Sequence, residues 1–394
     1  MAFPPIRTIT LGLAEAHPLP AQSIFRAAAL LQQARTRYTE VGYEVQTVRL
    51  STRSVLTELS HWSPAALLQY ARDLQSALDD AGLDFCSLGT VQAANPGYSL
   101  ERINLLADIL SETSALNATV QLATPEHGLR VEAALPTAQV MRRLAEETDE
   151  GFGNFRFAML ACVDAGSPFF PSAYHSGPTS ITVGWQGAGV VAEALRTETT
   201  HEGGLADPAQ ISAQVKAALL REAQPIVRLA QELATELDVL FGGIDLSPAP
   251  LGEDSISAAL ELAGYGPMGT SGTLTVAAAI TAALKSTGLP TCGYCGLMLP
   301  VLEDAGLGRR WEEGLVNAPQ LLLYSAVCGT GLDTLPLPGD SSAEEIARLL
   351  LDVATLALRL HKPLSARLFP VPGKSVGERT TFTSQYLTNT MIRK

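Results

Sequence analysis

Tyr43-Glu-Val-Gln-Thr-Val-Arg-Leu50 and Leu83-Asp-Phe-Cys-Ser-Leu88, with the stretch between them, decide the fold. Both runs have strand length and are rich in β-branched, aromatic and apolar residues. Between them Leu67, Tyr70, Leu74 and Leu78 recur three and four residues apart, the spacing of one helix face. Strand, covering helix and strand make a unit whose strands run parallel. The alternation continues outward in both directions. Strand-like runs recur at Arg7 to Leu13, Asn117 to Leu122, Phe155 to Val163, Ser180 to Trp185, Val239 to Leu246, Tyr294 to Leu299, Gly331 to Leu337 and Ala366 to Val371. About ten strands in one series predict one large α/β unit over residues 1–394 rather than two small ones. The longest helix signal starts at Asp207-Pro208, a cap followed by a first-turn proline, and Pro225 inside it predicts a kink or two helices meeting. Thr197 to Ala206 is polar and contains glycine, which predicts a long exposed loop.

Composition narrows the function. The chain carries 27 Lys+Arg against 40 Asp+Glu, a net charge of −13, which argues against nucleic acid or an anionic membrane as partner. Apolar residues make up 46% and charged residues 17%, enough to bury a large core. Its five cysteines (Cys86, Cys162, Cys292, Cys295 and Cys328) are odd in number and mostly lie in apolar stretches, as reduced thiols do. The N-terminal residues lack a signal-peptide pattern, and no apolar run reaches membrane-spanning length. The expectation is a cytoplasmic protein, a homo-oligomer, with no membrane partner.

Candidate chemistry sits just after the strand runs. Phe155 to Val163 leads into Asp164-Ala-Gly-Ser-Pro168-Phe-Phe-Pro171-Ser-Ala-Tyr174-His175, and Val239 to Ile244 into Asp245-Leu-Ser247. Tyr294 to Leu299 leads into Pro300-Val-Leu-Glu303-Asp304, and the last two strands into Pro338-Gly339-Asp340 and Pro372-Gly373-Lys374. The alternation implies mostly parallel strands, whose C-terminal ends open on one face, so these loops are expected to converge on one cleft. Each acidic residue there has a plain alternative as a helix cap. His175 is an acid/base or ligand candidate because histidine titrates near neutrality. Gly269, Thr270, Ser271, Gly272 and Thr273 precede an apolar helix and offer backbone N–H groups to an anion, or simply cap that helix. Cys292 and Cys295 form a lone CxxC without a fourth ligand, so buried structural thiols are the better reading.

The series Gly243-Ile-Asp245-Leu-Ser247, Gly269 to Thr273, Glu303-Asp304-Ala-Gly306, Ala326 to Asp333, Pro338-Gly339-Asp340 and Arg367-Leu-Phe-Pro370-Val-Pro-Gly373-Lys374 resembles the domain of unknown function 711 family, also called uncharacterised protein family 0210. Asn154-Phe-Arg156-Phe157 and Pro168 to His175 match its central segment. The resemblance implies a single large barrel with outer helices, similar to the pyruvate formate-lyase-like glycyl-radical enzymes. It does not imply their radical reaction, because Thr380 to Lys394 contains no glycine. The resulting expectation is a protein that takes a small anionic metabolite, as an enzyme using acid/base or divalent-metal chemistry or as a non-catalytic sensor. His175, Asp245, Glu303 and Asp304 are the catalytic candidates. Gly269 to Thr273, Arg367 and Lys374 are the anion contacts, and Asp245 with Asp340 the ligands for Mg²⁺, Mn²⁺ or Ca²⁺.

Overall fold

The computed structural model describes residues 3–196 and 205–393. Most of the loop expected over Thr197 to Ala206 lies outside the described residues. Ten strands follow in chain order: β1 (Ile6–Gly12), β2 (Val45–Ser51), β3 (Cys86–Val91), β4 (Leu116–Thr124), β5 (Gly128–Leu129), β6 (Phe157–Ala161), β7 (Ser180–Trp185), β8 (Leu240–Asp245), β9 (Gly331–Pro338) and β10 (Leu364–Val371). They form one mixed sheet of order β8-β7-β1-β2-β3-β4-β6-β10-β9, with β5 paired to β4 beside that path.

The connecting segments form helices for local reasons. In Pro64–Ala81 the Ser63 side chain accepts from Ala66 N at 3.2 Å, Pro64 occupies the first turn, and Gly82 ends the helix in the left-handed region. Its buried stripe is Leu67, Tyr70, Leu74 and Leu78, the residues whose spacing predicted it. Ala343–Leu360 begins with a Ser342/Glu345 capping box and buries Ile346, Leu350 and Val353. Pro208–Glu236 is one continuous helix with Pro225 inside it.

Most neighbouring strands along the sheet pair in parallel, as expected, but two junctions reverse direction. β1, β2, β3, β4 and β6 pair in parallel, each with the next. β7 joins β1 antiparallel and β10 joins β6 antiparallel, while β8 and β9 run parallel to β7 and β10. The sheet is thus a central block of five parallel strands flanked on each side by a parallel pair of the opposite direction. Strand C-termini open at both ends, and the loops expected to converge on one cleft are divided between them. His175 lies at the C-terminal end of β1, where a Cβ on Gly12 would stand 2.1 Å from its Nδ1. Asp245 lies at the C-terminal end of β8, opposite Gly184 of β7, and so near the start of β1.

The implied closed barrel is likewise a sheet that does not close. Tyr294 to Leu299, expected as the strand between β8 and β9, forms no ladder. The segment touches its neighbours by single bridges, Thr291 to Ile244 and Pro300 to Asp333. The cause is local: Gly293 (φ 66°) and Cys295 (φ 44°) are left-handed, which breaks the pleat, and Pro300 brings no N–H.

A cationic cavity on the inner face of the sheet

The concave face of the sheet encloses a cavity of about 60 Å³. That is room for a few waters or a small organic molecule. Its walls come from β1, β2, β4, β6, β9 and β10, and from three inserted segments around Phe169–Ser172, Ala249–Pro250 and Tyr294–Glu303. Two of these are anchored by strand side chains. The Thr10 and Ser87 hydroxyls donate to Pro168 O at 2.8 Å and Ala173 O at 2.6 Å, and Asp245 holds the third.

Three arginines reach this space because the strands aim them there. On β1 the register with β7 shifts between Ile6 and Thr8, leaving Arg7 as an extra residue, and such a bulge redirects a side chain. On β9 the pairing steps from Leu332 to Leu335 while β10 steps from Ala366 to Leu368, so Asp333 and Thr334 together oppose Arg367. Arg367 Nε donates to Asp333 Oδ1 at 2.7 Å, and its Nη2 is bonded to Glu303 Oε1. Arg7 Nη2 reaches Glu303 Oε2 at 3.4 Å and its Nη1 reaches Gln46 at 3.2 Å.

Arg49 on β2 differs. Its Nε donates to Thr47 Oγ1 at 3.0 Å, and the guanidinium lies 4.8 Å from the Phe85 ring centre and 5.3 Å from that of Phe170. Among the described residues no carboxylate pairs with it, and its terminal nitrogens have no hydrogen-bond acceptor. It is only 7% exposed. Burial, with Arg7 and Arg367 nearby, lowers its pKa to about 9. Burial also pushes up the carboxyl of Glu303, against the pull of Arg367 and Arg7. For Arg367 burial works the other way, but Asp333 and Glu303 hold its pKa above the usual range. Three guanidinium groups therefore face two carboxylates. Beside them the Tyr294 hydroxyl is buried next to the Ser172 and Ser365 hydroxyls, which themselves donate to Phe169 O at 2.9 Å and Thr330 O at 3.0 Å.

The cavity has an aromatic wall toward a second, outer pocket of about 330 Å³. Phe85 and Phe155 line both spaces. Tyr386 stacks on Phe155 with centroids 5.7 Å apart and meets Phe85 edge-on at 6.2 Å.

Of the residues expected at a site, Glu303 and Arg367 line the cavity. Asp245 serves it from behind. Its carboxylate accepts from Ser247 N (2.9 Å), Ser247 Oγ (2.6 Å), Tyr294 N (2.8 Å) and Cys295 N (3.0 Å), which fixes the segment carrying Tyr294. Burial pushes its pKa up, and these donors oppose the push. Asp304 caps the helix Ala305–Glu312, accepting from Leu307 N at 2.9 Å, Ser255 Oγ at 2.5 Å and Ser257 N at 3.2 Å. His175 is buried, with Nε2 3.0 Å from Pro178 O and 3.3 Å from Gly177 O, and burial lowers its pKa. Gly269 to Thr273 packs on Leu315 and is tied inward by Gly269 N to Thr273 Oγ1 at 3.1 Å and Thr270 Oγ1 to Pro267 O at 2.7 Å. That loop, Lys374 and Asp340 do not line the cavity, and Asp340 is exposed. Among the described residues no three of His, Cys, Asp and Glu are grouped to hold a metal ion, so Asp245 and Asp340 are not part of such a donor set. Arg7, Arg49 and Tyr294 were not singled out by the sequence. The signal available was a charged residue inside an otherwise apolar or β-branched strand run, as at Arg7 and Arg49.

Fold and cavity together describe an α/β protein whose inner cavity is lined by three arginines and two carboxylates. Residues 4–384 match the family model described as Uncharacterised ACR (DUF711), and the chain belongs to that family. It is 29% identical over 357 residues to a UPF0210 protein of Methanococcoides burtonii, covering 86% of this chain and 77% of that one. It is 28% identical over 403 residues to a UPF0210 protein of Oenococcus oeni, covering 96% and 88%. Among solved structures the anaerobic ribonucleotide reductase of Thermotoga maritima, in complex with dATP and CTP, overlaps 92% of this chain and 74% of its own at 10% identity. The TM-score is 0.40, too slight an overlap to assign the fold. No helix among the described residues is long and apolar enough to cross a membrane.

Proposed function

We propose that the protein binds a small anionic metabolite in the cavity on the inner face of its sheet. The observation that carries this reading is Arg49, a buried guanidinium with no carboxylate partner beside two arginines that already share Glu303. An isolated buried charge is costly, and a bound anion would offset the cost. Glu303 and Tyr294 are the cavity groups able to exchange a proton with such a ligand, so acid/base chemistry on the anion is the enzyme form of this reading. A sensor is the other form, favoured by the way Arg7 and Arg367 engage both oxygens of Glu303. Mass spectrometry of small molecules released on denaturing the purified protein tests the binding. One anion per chain is expected, and none from Arg49→Met. Release of no anion from the native chain, or equal release from both chains, would refute it. Glu303→Gln separates the two forms: an enzyme keeps its ligand and loses turnover, while a sensor shows no turnover in either chain.

A further inference from the structure

We infer that the ligand of this cavity is a monocarboxylate with a short apolar tail, an inference that rests on reading the cavity as an anion site. Charge sets the first limit. With Glu303 and Asp333 set against Arg7, Arg49 and Arg367, one positive charge is left over, and in a poorly solvated space one negative charge neutralises it. A phosphate dianion or a dicarboxylate overshoots by one charge and places it beside Glu303. Geometry sets the second limit. The Arg49 guanidinium is held at Nε by Thr47 and flanked by the rings of Phe85 and Phe170, so its two terminal nitrogens present a fixed planar fork. Such a fork matches the two oxygens of a carboxylate. The remaining wall sets the third. Phe169, Met298, Ala249 and Pro250 line the same space and offer no charge to a second anionic group, whereas a short hydrocarbon tail buries well against them. The volume of about 60 Å³ keeps the tail short.

The test is calorimetric titration and thermal melting of the full chain with sodium butyrate, sodium succinate and inorganic phosphate at constant ionic strength, with sodium chloride as control. Butyrate is expected to bind one per chain and raise the melting temperature, with succinate and phosphate at least tenfold weaker. Arg49→Met should abolish the butyrate response. Arg49→Lys, which keeps the charge and loses the fork, should weaken it about tenfold, and it supplies the test if the methionine variant does not fold. If phosphate or succinate binds more tightly than butyrate in an Arg49-dependent way, the monocarboxylate assignment falls and the anion site stands. If none of the three shifts the native chain, or the Arg49 variants respond as the native chain does, both fall.

Discussion

Replacing Arg49 by methionine is expected to stabilise the ligand-free protein. Burial and two neighbouring arginines bring the guanidinium pKa down to about 9. At 1.36 kcal/mol for each tenfold change, that displacement from the ordinary value corresponds to a cost of about 5 kcal/mol in holding the charge inside the folded chain. The sign follows from proton linkage. The unfolded chain binds this proton more tightly than the folded one, so the full cost is present at every pH below about 9, including neutrality. Methionine has a similar length and no charge. Its introduction removes the cost together with two cation–π contacts, about 1 kcal/mol each, and the bond to Thr47, about 1 kcal/mol. The net gain is about 2 kcal/mol. For a chain of 394 residues the unfolding entropy is roughly 0.8 kcal/mol per kelvin, so the melting temperature should rise by about 2 to 3 °C. A saturating monocarboxylate should reverse the order, because a hundredfold excess over Kd adds about 2.7 kcal/mol to the native chain alone. Paired calorimetric scans with and without butyrate supply the measurement. A variant that melts several degrees below the native chain without ligand would mean that Arg49 is a structural strut, and the charge argument would be refuted.

Other consequences can be checked in the same preparations. Asp245→Asn turns an acceptor of four bonds into a group with only one acceptor oxygen. Stability measured in urea should drop by about 2 to 4 kcal/mol, and anion affinity should fall with it through Tyr294. His17 is buried between Tyr70 Oη at 2.7 Å and Thr52 Oγ1 at 3.0 Å, and burial lowers its pKa to about 4. Between pH 6.5 and 4 the unfolded chain takes up this proton and the folded one does not, so native stability should lose about 3 kcal/mol more over that window than a His17→Gln chain does in parallel urea titrations. Gly293→Ala would put a Cβ 2.2 Å from Asp245 Oδ2 at a left-handed φ of 66°, and the expected result is a melting temperature lowered by several degrees. Tyr386→Ala removes the ring that backs Phe85 and Phe155, and stopped-flow mixing with butyrate should show faster association and dissociation at little-changed Kd.

The sequence made the strands legible far better than their directions. Nine of the ten runs expected as strands hold one, because each is a short run of β-branched, aromatic or other apolar residues set off from the helical stretches. The tenth, Tyr294 to Leu299, is apolar because it is a loop buried inside the sheet, and burial alone carries no period that separates a loop from a strand. The two reversals at β7 and β10 were invisible because side-chain alternation is the same in parallel and antiparallel ladders. That is why His175 and Asp245 were expected in one cleft and lie at opposite ends. Glu303 was legible as a charge just after a strand run, and Arg367 through the family resemblance. Arg7 and Arg49 lie within strand runs, and two of the cavity's charges, Arg7 and Asp333, depend on bulges that pairing alone reveals. Asp304 was correctly open to the reading as a cap, since an aspartate before Ala-Gly-Leu opens a helix as readily as it joins a site.

The unclosed line between β8 and β9 has a dynamic consequence. Along it Cys292 N to Ile244 O at 3.1 Å, Ile244 N to Pro290 O at 3.0 Å and Val301 N to Asp333 O at 3.1 Å stand in for a full ladder. A sheet opens where the fewest bonds must break together, so amide hydrogens of β8, β9 and residues 291–301 should exchange with deuterium orders of magnitude faster than those of β1 and β4. Tyr294 and Glu303 are carried by that same stretch and its immediate continuation. Breathing along this line therefore loosens one wall of the cavity while Arg7 and Arg49, on β1 and β2 away from the seam, stay in place, and an occupant that bridges the two sides would slow exchange along the whole seam.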